Sequence, residues 1–98
     1  MSTYIETLLY ELEHSKRKCK NYTYILLCAD KSYYCGWTNN PMKRLKAHNE
    51  GRASKYTRAR LPVSLVYIEE FETKADAMKR EAYIKSLPRS RKEELVAT

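Results

Sequence analysis

Two short aromatic and apolar runs flank a polar turn in this chain, and their spacing decides which side chains can meet. Tyr24-Ile-Leu-Leu-Cys28 is apolar and is followed by Ala29-Asp30-Lys31-Ser32, which reads as a turn. Tyr33 to Thr38 then reads as a second strand, rich in aromatics. The pair predicts a β-hairpin. Side chains alternate along a strand. Tyr24 and Tyr34 therefore share a face only if paired residue numbers sum to an even value, as when 29 pairs with 33 around a three-residue loop. A two- or four-residue loop turns them to opposite faces. Any site that uses both tyrosines needs an odd-length loop or a bulge.

The rest of the chain reads as helices around one more strand. Asn40-Pro41 is a helix start, with Asn as N-cap and Pro at the first helical position. That helix is expected to run to about His48, with Gly51 as a stop signal just beyond. Residues 51–62 read as a basic loop closed by Pro62, and Val63 to Glu69 as a third strand. Thr73-Lys-Ala-Asp76 resembles a capping box with Asp in place of Glu, and opens a long helix to Leu87. Pro88 ends that helix, and Ser90 to Val96 fit one more short one. The third strand has no short turn back to the hairpin and must cross over around the first helix. Ahead of all this, Ile5, Leu8, Leu9 and Leu12 recur at amphipathic-helix spacing, and Ser15-Lys-Arg-Lys-Cys-Lys20 is a basic connector. The expected class is α/β of the α+β kind: a small three-stranded antiparallel sheet flanked by helices. Residues 1–20 form an N-terminal, helical extension and residues 21–98 the domain proper.

A chain of 98 residues suits one domain, and a domain of this size buries roughly 60–65% of its unfolded surface. Lys plus Arg number 19 against 12 for Asp plus Glu, a formal charge of +7. That balance favours polyanions. No apolar run approaches the ~20 residues that span a bilayer, and no basic stretch followed by an apolar core marks a secretory signal. Cys19, Cys28 and Cys35 are odd in number and lack CxxC spacing, which argues against zinc. Cys28 and Cys35 fall in strand-like runs and read as small buried thiols. A cytoplasmic, reducing setting with no membrane association is expected.

Several polar residues fall at spacings that matter chemically. Arg44 and His48 lie one turn apart on the first helix. His48 either donates a proton or contacts phosphate, or it is a helix-end residue favoured by the dipole. His48-Asn49-Glu50 is no metal tripeptide, because three consecutive helical residues point apart. Glu81 has Ala77 and Ile84 at i−4 and i+3, with Met78 beside them. A carboxylate among apolar neighbours is costly unless paired or bound to metal; the local alternative is an ion pair with Lys85. Lys55, Arg58 and Arg60 surround Tyr56, the pattern of phosphate contacts with base stacking, or else of a solvated charged loop.

Tyr22-Thr23-Tyr24 and Tyr34-Cys35-Gly36 are followed by Thr38-Asn39-Asn40 through Arg44, then Lys55-Tyr56-Thr57-Arg58, then Arg80-Glu81-Ala82 with Ile84-Lys85. This order resembles the GIY-YIG nuclease family, in particular its small single-domain, UPF0213-like members. The resemblance runs from about Tyr22 to Leu95, roughly three quarters of the chain. It implies metal-dependent hydrolysis of a nucleic-acid phosphodiester. Tyr24 and Tyr34 would line the active site, one of them helping to activate water. A phenol with a pKa of about 10 needs a nearby cation to do so. Arg44 would clamp the scissile phosphate bidentately, and His48 would stand beside it. Glu81 would be the single protein ligand to magnesium or manganese, an ion that keeps most of its waters. Lys55, Tyr56, Arg58 and Arg60 would contact nucleic acid, most readily DNA. The chain departs from the family pattern at Tyr22-Thr23, where Gly-Ile is usual, at Cys35, and at Trp37, where some members carry lysine. With no room for a recognition domain, low sequence specificity, a preference for a DNA structure, or a borrowed protein partner is expected. The rivals are a non-catalytic nucleic-acid-binding module on the same scaffold and an interaction domain working through residues 1–20.

Overall fold

The hairpin closes with an odd-length loop. In the computed structural model, which describes residues 3–14 and 20–97, strands β1 (Asn21–Leu27) and β2 (Tyr33–Thr38) pair antiparallel. Leu27 faces Tyr33, so residues 28–32 make the turn. The turn is tied by Asp30, whose Oδ1 accepts from the Ser32 amide at 3.1 Å and its hydroxyl at 2.6 Å. Tyr24 lies opposite Gly36 and Leu26 opposite Tyr34. Even-numbered residues of both strands therefore share one face, and both motif tyrosines stand on it.

Strand β3 (Ser64–Phe71) returns to the other edge of β1, giving the order β2-β1-β3 with a bulge in the pairing between Ile25 and Leu26. β1 is thus central and is buried on both sides from Tyr22 to Leu26. On the even face its side chains meet α1 (Thr3–His14) and α2 (Pro41–Asn49), through Ile5, Leu8 and Leu45. On the odd face, Ile25 and Cys35 meet α4 (Lys74–Lys85) and α5 (Arg89–Ala97), through Ile84, Leu95 and Val96. The Thr23 hydroxyl donates to the Ala77 carbonyl at 2.7 Å and locks α4 to β1.

Local signals placed the helices well. The Asn40 side chain accepts from the Lys43 amide at 3.1 Å, and Pro41 follows. Gly51 ends α2 with φ of 77°, a left-handed conformation that glycine adopts without strain, and its amide bonds the His48 carbonyl at 3.0 Å. Thr73 caps α4 by accepting from the Asp76 amide at 3.1 Å. That helix ends at Lys85, two residues short of Leu87, because Ser86 already acts as its C-cap. The stretch 51–62 is not a plain loop. It holds one helical turn, α3 (Lys55–Arg58), capped by Ser54, whose hydroxyl accepts from the Tyr56 and Thr57 amides at 3.0 and 3.4 Å. Ser54 was the overlooked signal.

Residues 1–20, set apart in the sequence reading, supply Ile5 and Leu8 to the same core as β1 and β3; these two are 2% and 3% exposed. The side chain of Leu12, and residues 15–19 with Cys19, lie outside the described residues. Among the described residues, no helix is long and apolar enough to cross a membrane. Burial of Leu8 generates a test. Leu8→Ala is expected to destabilise the domain by about 2–5 kcal/mol in urea denaturation; an unchanged midpoint would show that α1 adds nothing to the core.

Candidate active site

The centre of the even face is polar. The Tyr24 hydroxyl and His48 Nε2 are 2.8 Å apart, and His48 Nδ1 is 2.8 Å from the Thr57 hydroxyl. His48 and Thr57 are both fully buried. Three elements meet in this chain of contacts: β1 brings the phenol, the last turn of α2 the imidazole, and α3 the threonine. Sequence reasoning left His48 between two roles. The structure turns it inward, with both ring nitrogens partnered.

Gly36 makes this possible. A Cβ built there would lie 2.5 Å from the Tyr24 hydroxyl and 2.7 Å from the ring carbon bearing it. The glycine of the second motif is thus the space occupied by the tyrosine of the first. Tyr34, next along that face, packs edge-on against His48 with ring centroids 5.1 Å apart. Tyr56 stacks on Tyr34 at 6.0 Å, and the Arg60 guanidinium lies 3.8 Å over the Tyr56 ring.

Arg44, one turn before His48 on α2, is exposed and borders two clefts. One is a narrow crevice reaching Tyr24, Leu26 and Leu45. The other is an open, basic groove that adds Asn40, Lys43 and Arg52. Arg52 is held by Glu50, its Nε donating to Oε1 at 2.9 Å. Burial pushes the Tyr24 phenol up to about 12, with the Arg44 guanidinium beside it offsetting part of the rise. Burial, and then the Arg44 charge, push His48 down to about 4. At neutral pH both groups are uncharged: burial outweighs the pull of Arg44 on the phenol, and adds to its repulsion of a charged imidazole.

The α3 residues divide. Lys55 and Arg58 are exposed, and Tyr56 is half-exposed on its stack. Arg60 is tied down: its Nε donates to Asp30 at 2.9 Å and its NH1 to the Tyr56 carbonyl at 2.9 Å. It fastens α3 to the hairpin loop, and its charge is already matched by Asp30.

Glu81 sits apart from this cluster. It belongs to α4, whose Ala77 and Ile84 pack on the odd face of the sheet. Its own side chain is 19% exposed and pairs with Lys85 at 3.5 Å. Its carbonyl faces the Cys35 thiol at 3.9 Å, and burial followed by the Glu81 charge pushes that thiol up to about 12. Met78, expected to flank Glu81 inside, is exposed. The structure therefore brings Tyr24, Tyr34, Arg44 and His48 together and leaves Glu81 on the helix covering the opposite face. The residue missed in the sequence is Thr57, hidden because its segment read as a charged loop. Among the described residues, no three His, Cys, Asp or Glu side chains gather as a metal cluster.

Two outcomes follow from this geometry. Gly36→Ala is expected to drive Tyr24 off His48 and to cost about 1–3 kcal/mol, the range for overpacking a tight contact, read as a loss in Tm; a wild-type Tm would show that the phenol has room to spare. His48 sets a pH dependence. An unfolded imidazole takes up its proton near 6.5, while the folded one resists until about 4. The unfolded state thus binds more protons across that window, and stability falls as pH drops from about 6.5 to about 4, by on the order of 3 kcal/mol. Urea titrations between pH 7 and 4.5 should show this slope reduced in His48→Gln.

Residues 20–94 match the sequence profile described as the GIY-YIG catalytic domain. A UPF0213 protein of Clostridium perfringens is 58% identical over 78 residues, covering 80% of this chain and 84% of that one. A UPF0213 protein of Natronomonas pharaonis is 51% identical over 77 residues, covering 79% of this chain and 91% of that one. Two solution NMR structures are similar in fold. The UPF0213 protein of Bacillus halodurans has 44% identity and a TM-score of 0.53, and a protein of E. faecalis has 45% and 0.56; each comparison covers 80% of this chain and 83% of the other. With its paired tyrosines, Gly36 and Arg44 on one face and this match over most of its length, the chain belongs to the GIY-YIG family.

Proposed function

We propose that the protein hydrolyses phosphodiester bonds in nucleic acid. The observation that carries this reading is the convergence of Tyr24, Tyr34, Arg44 and His48 on one sheet face, with Arg44 opening onto a basic groove. Arg44 holds the scissile phosphate with its fork of donors, and Lys43 adds charge along the groove. Tyr34 is the more exposed tyrosine and orients the attacking water. Tyr24, only 3% exposed, holds Arg44 and His48 in place. Contacts of this kind read charge and backbone shape more than bases, so little sequence preference or a structure-selective substrate, most simply DNA, is proposed.

The donor chemistry of Glu81 fits a magnesium or manganese ion: one shielded carboxylate, with no cluster around it, suits an ion that keeps most of its waters. Glu81 would hold the ion, which would supply positive charge to the phosphoryl oxygens. The non-catalytic binding module remains the second reading, favoured by the Glu81–Lys85 pair and by the placement of α4 on the far side of the sheet.

Plasmid nicking with and without magnesium separates the two. Arg44→Ala and Tyr34→Phe are expected to lower the nicking rate about 100-fold or more, the usual cost of removing a group that stabilises the transition state. Glu81→Gln is expected to abolish magnesium-dependent nicking with Tm equal or higher. Wild-type rates in Glu81→Gln would remove Glu81 from the metal site, and DNA binding without cleavage of any substrate would leave the binding module standing. DNA affinity should fall with salt at a log–log slope of about −0.9 per phosphate contacted, and removing Lys43, Lys55 and Arg58 together should flatten it.

A further inference from the structure

The polar chain at the site has a direction, and Thr57 sets it. The Arg44 guanidinium beside the Tyr24 phenol carries donors only. At the far end, the Thr57 hydroxyl lies 3.4 Å from the Ser54 carbonyl, which can only accept. Between them stand two contacts of 2.8 Å, phenol to His48 Nε2 and His48 Nδ1 to Thr57. A neutral imidazole has one N–H and one bare nitrogen, so the two contacts must run the same way along the chain. If Nε2 carried the hydrogen, the Tyr24 hydroxyl hydrogen would be left pointing at the Arg44 donors, with the ring only 3% exposed to water. The Ser54 carbonyl would lose the threonine donor as well. The opposite direction satisfies every group: the phenol donates to Nε2, Nδ1–H donates to Thr57, and Thr57 donates to Ser54.

We propose that Thr57 is a positioning residue: by accepting from Nδ1–H it holds His48 with Nε2 bare, so that the Tyr24 hydrogen is committed inward and its oxygen lone pairs face Arg44 and the substrate side. Thr57 never touches substrate. It acts through His48 on Tyr24, and through Tyr24 on the guanidinium that receives the phosphate. The buried setting supports this. His48 and Thr57 are both fully buried, so no water competes for either nitrogen. The Ser54 cap that opens α3 places Thr57 at the only turn of that helix, and this is the structural use of a threonine between the charged residues Lys55 and Arg58. The consequence for catalysis rests on the nuclease reading above; the direction of the chain does not.

Nitrogen-15 NMR of the imidazole tests it directly. The wild type is expected to show a bare-nitrogen shift for Nε2 and a protonated-nitrogen shift for Nδ1 at pH 7. Thr57→Ser should keep that pattern. Thr57→Val, the same shape without the hydroxyl, should invert or average it. The reverse assignment in wild type, or an unchanged pattern in Thr57→Val, overturns the proposal. Should Thr57→Val fail to fold, the wild-type and Thr57→Ser spectra still decide the direction. In the nicking assay Thr57→Val should be about 10- to 100-fold slower, the range for losing the partner that orients an imidazole, with Thr57→Ser near wild type. Thr57→Val nicking at the wild-type rate also overturns it. The expected tautomer in a protein that cuts no substrate supports the assigned chain and defeats the nuclease reading instead.

Discussion

The Tyr24 phenol reaches His48 because nothing projects from the strand beside it. Gly36 lies directly opposite in the hairpin register, and a single methyl there would stand 2.5 Å from the hydroxyl, too close for both to fit. From this contact the rest of the even face follows. The phenol fixes His48, and with it the last turn of α2 and the direction of Arg44. His48 in turn fixes Thr57 and α3. The stack of Tyr34, Tyr56 and Arg60 then ends at Asp30, in the turn of the same hairpin. A closed ring of contacts thus leaves the hairpin and returns to it. Shifting the register of the hairpin by one residue would put Tyr24 and Tyr34 on opposite faces and break the ring at its origin.

The two faces of the sheet carry different chemistry because β1 is central. An edge strand could leave one side to solvent, but β1 is buried from Tyr22 to Leu26 and must satisfy both sides. The odd face is mostly apolar, joined to α4 by the Thr23 hydroxyl and by Arg80, whose Nε donates to Glu69 on β3 at 3.0 Å. The even face spends part of its core on polar groups. A buried imidazole and threonine oppose stability unless each hydrogen finds an acceptor, and here they do so as one chain. Such a chain is intolerant of single changes, since removing one member orphans the next. A domain of this size would gain from apolar residues at those positions, and the proposed function gives their polar character a use.

Much of the fold could be read from local signals that act over a few residues. Asn40-Pro41, Gly51 and Thr73 each stated a helix boundary in its own chemistry, and the strand runs were short and aromatic. The parity of the hairpin could be posed as a condition but not answered, because loop length depends on how Cys28 and Ser32 pair, which no local preference decides. Arg44 and His48 shared a helix face in sequence, yet one is exposed and the other fully buried. Spacing gives the direction of a side chain; the neighbouring element decides whether it meets water. Thr57 stood in the segment Lys55-Tyr56-Thr57-Arg58 without a role for the same reason. Its role exists only where α2 and α3 meet, and the charges on either side of it advertised a surface.

If the protein is the proposed nuclease, the position of Glu81 constrains how a substrate would approach. Tyr34 and Cys35 are consecutive residues of β2, so they point to opposite faces, one toward the tyrosine cluster and the other against the Glu81 backbone. β2 is also an edge strand. A ligand that engages both Arg44 and an ion on Glu81 therefore cannot lie flat on either face. On the proposed reading it would come in around the free edge of β2. Gly36 on that edge strand serves inward, where it admits the Tyr24 phenol and so keeps the tyrosine cluster on the face away from Glu81.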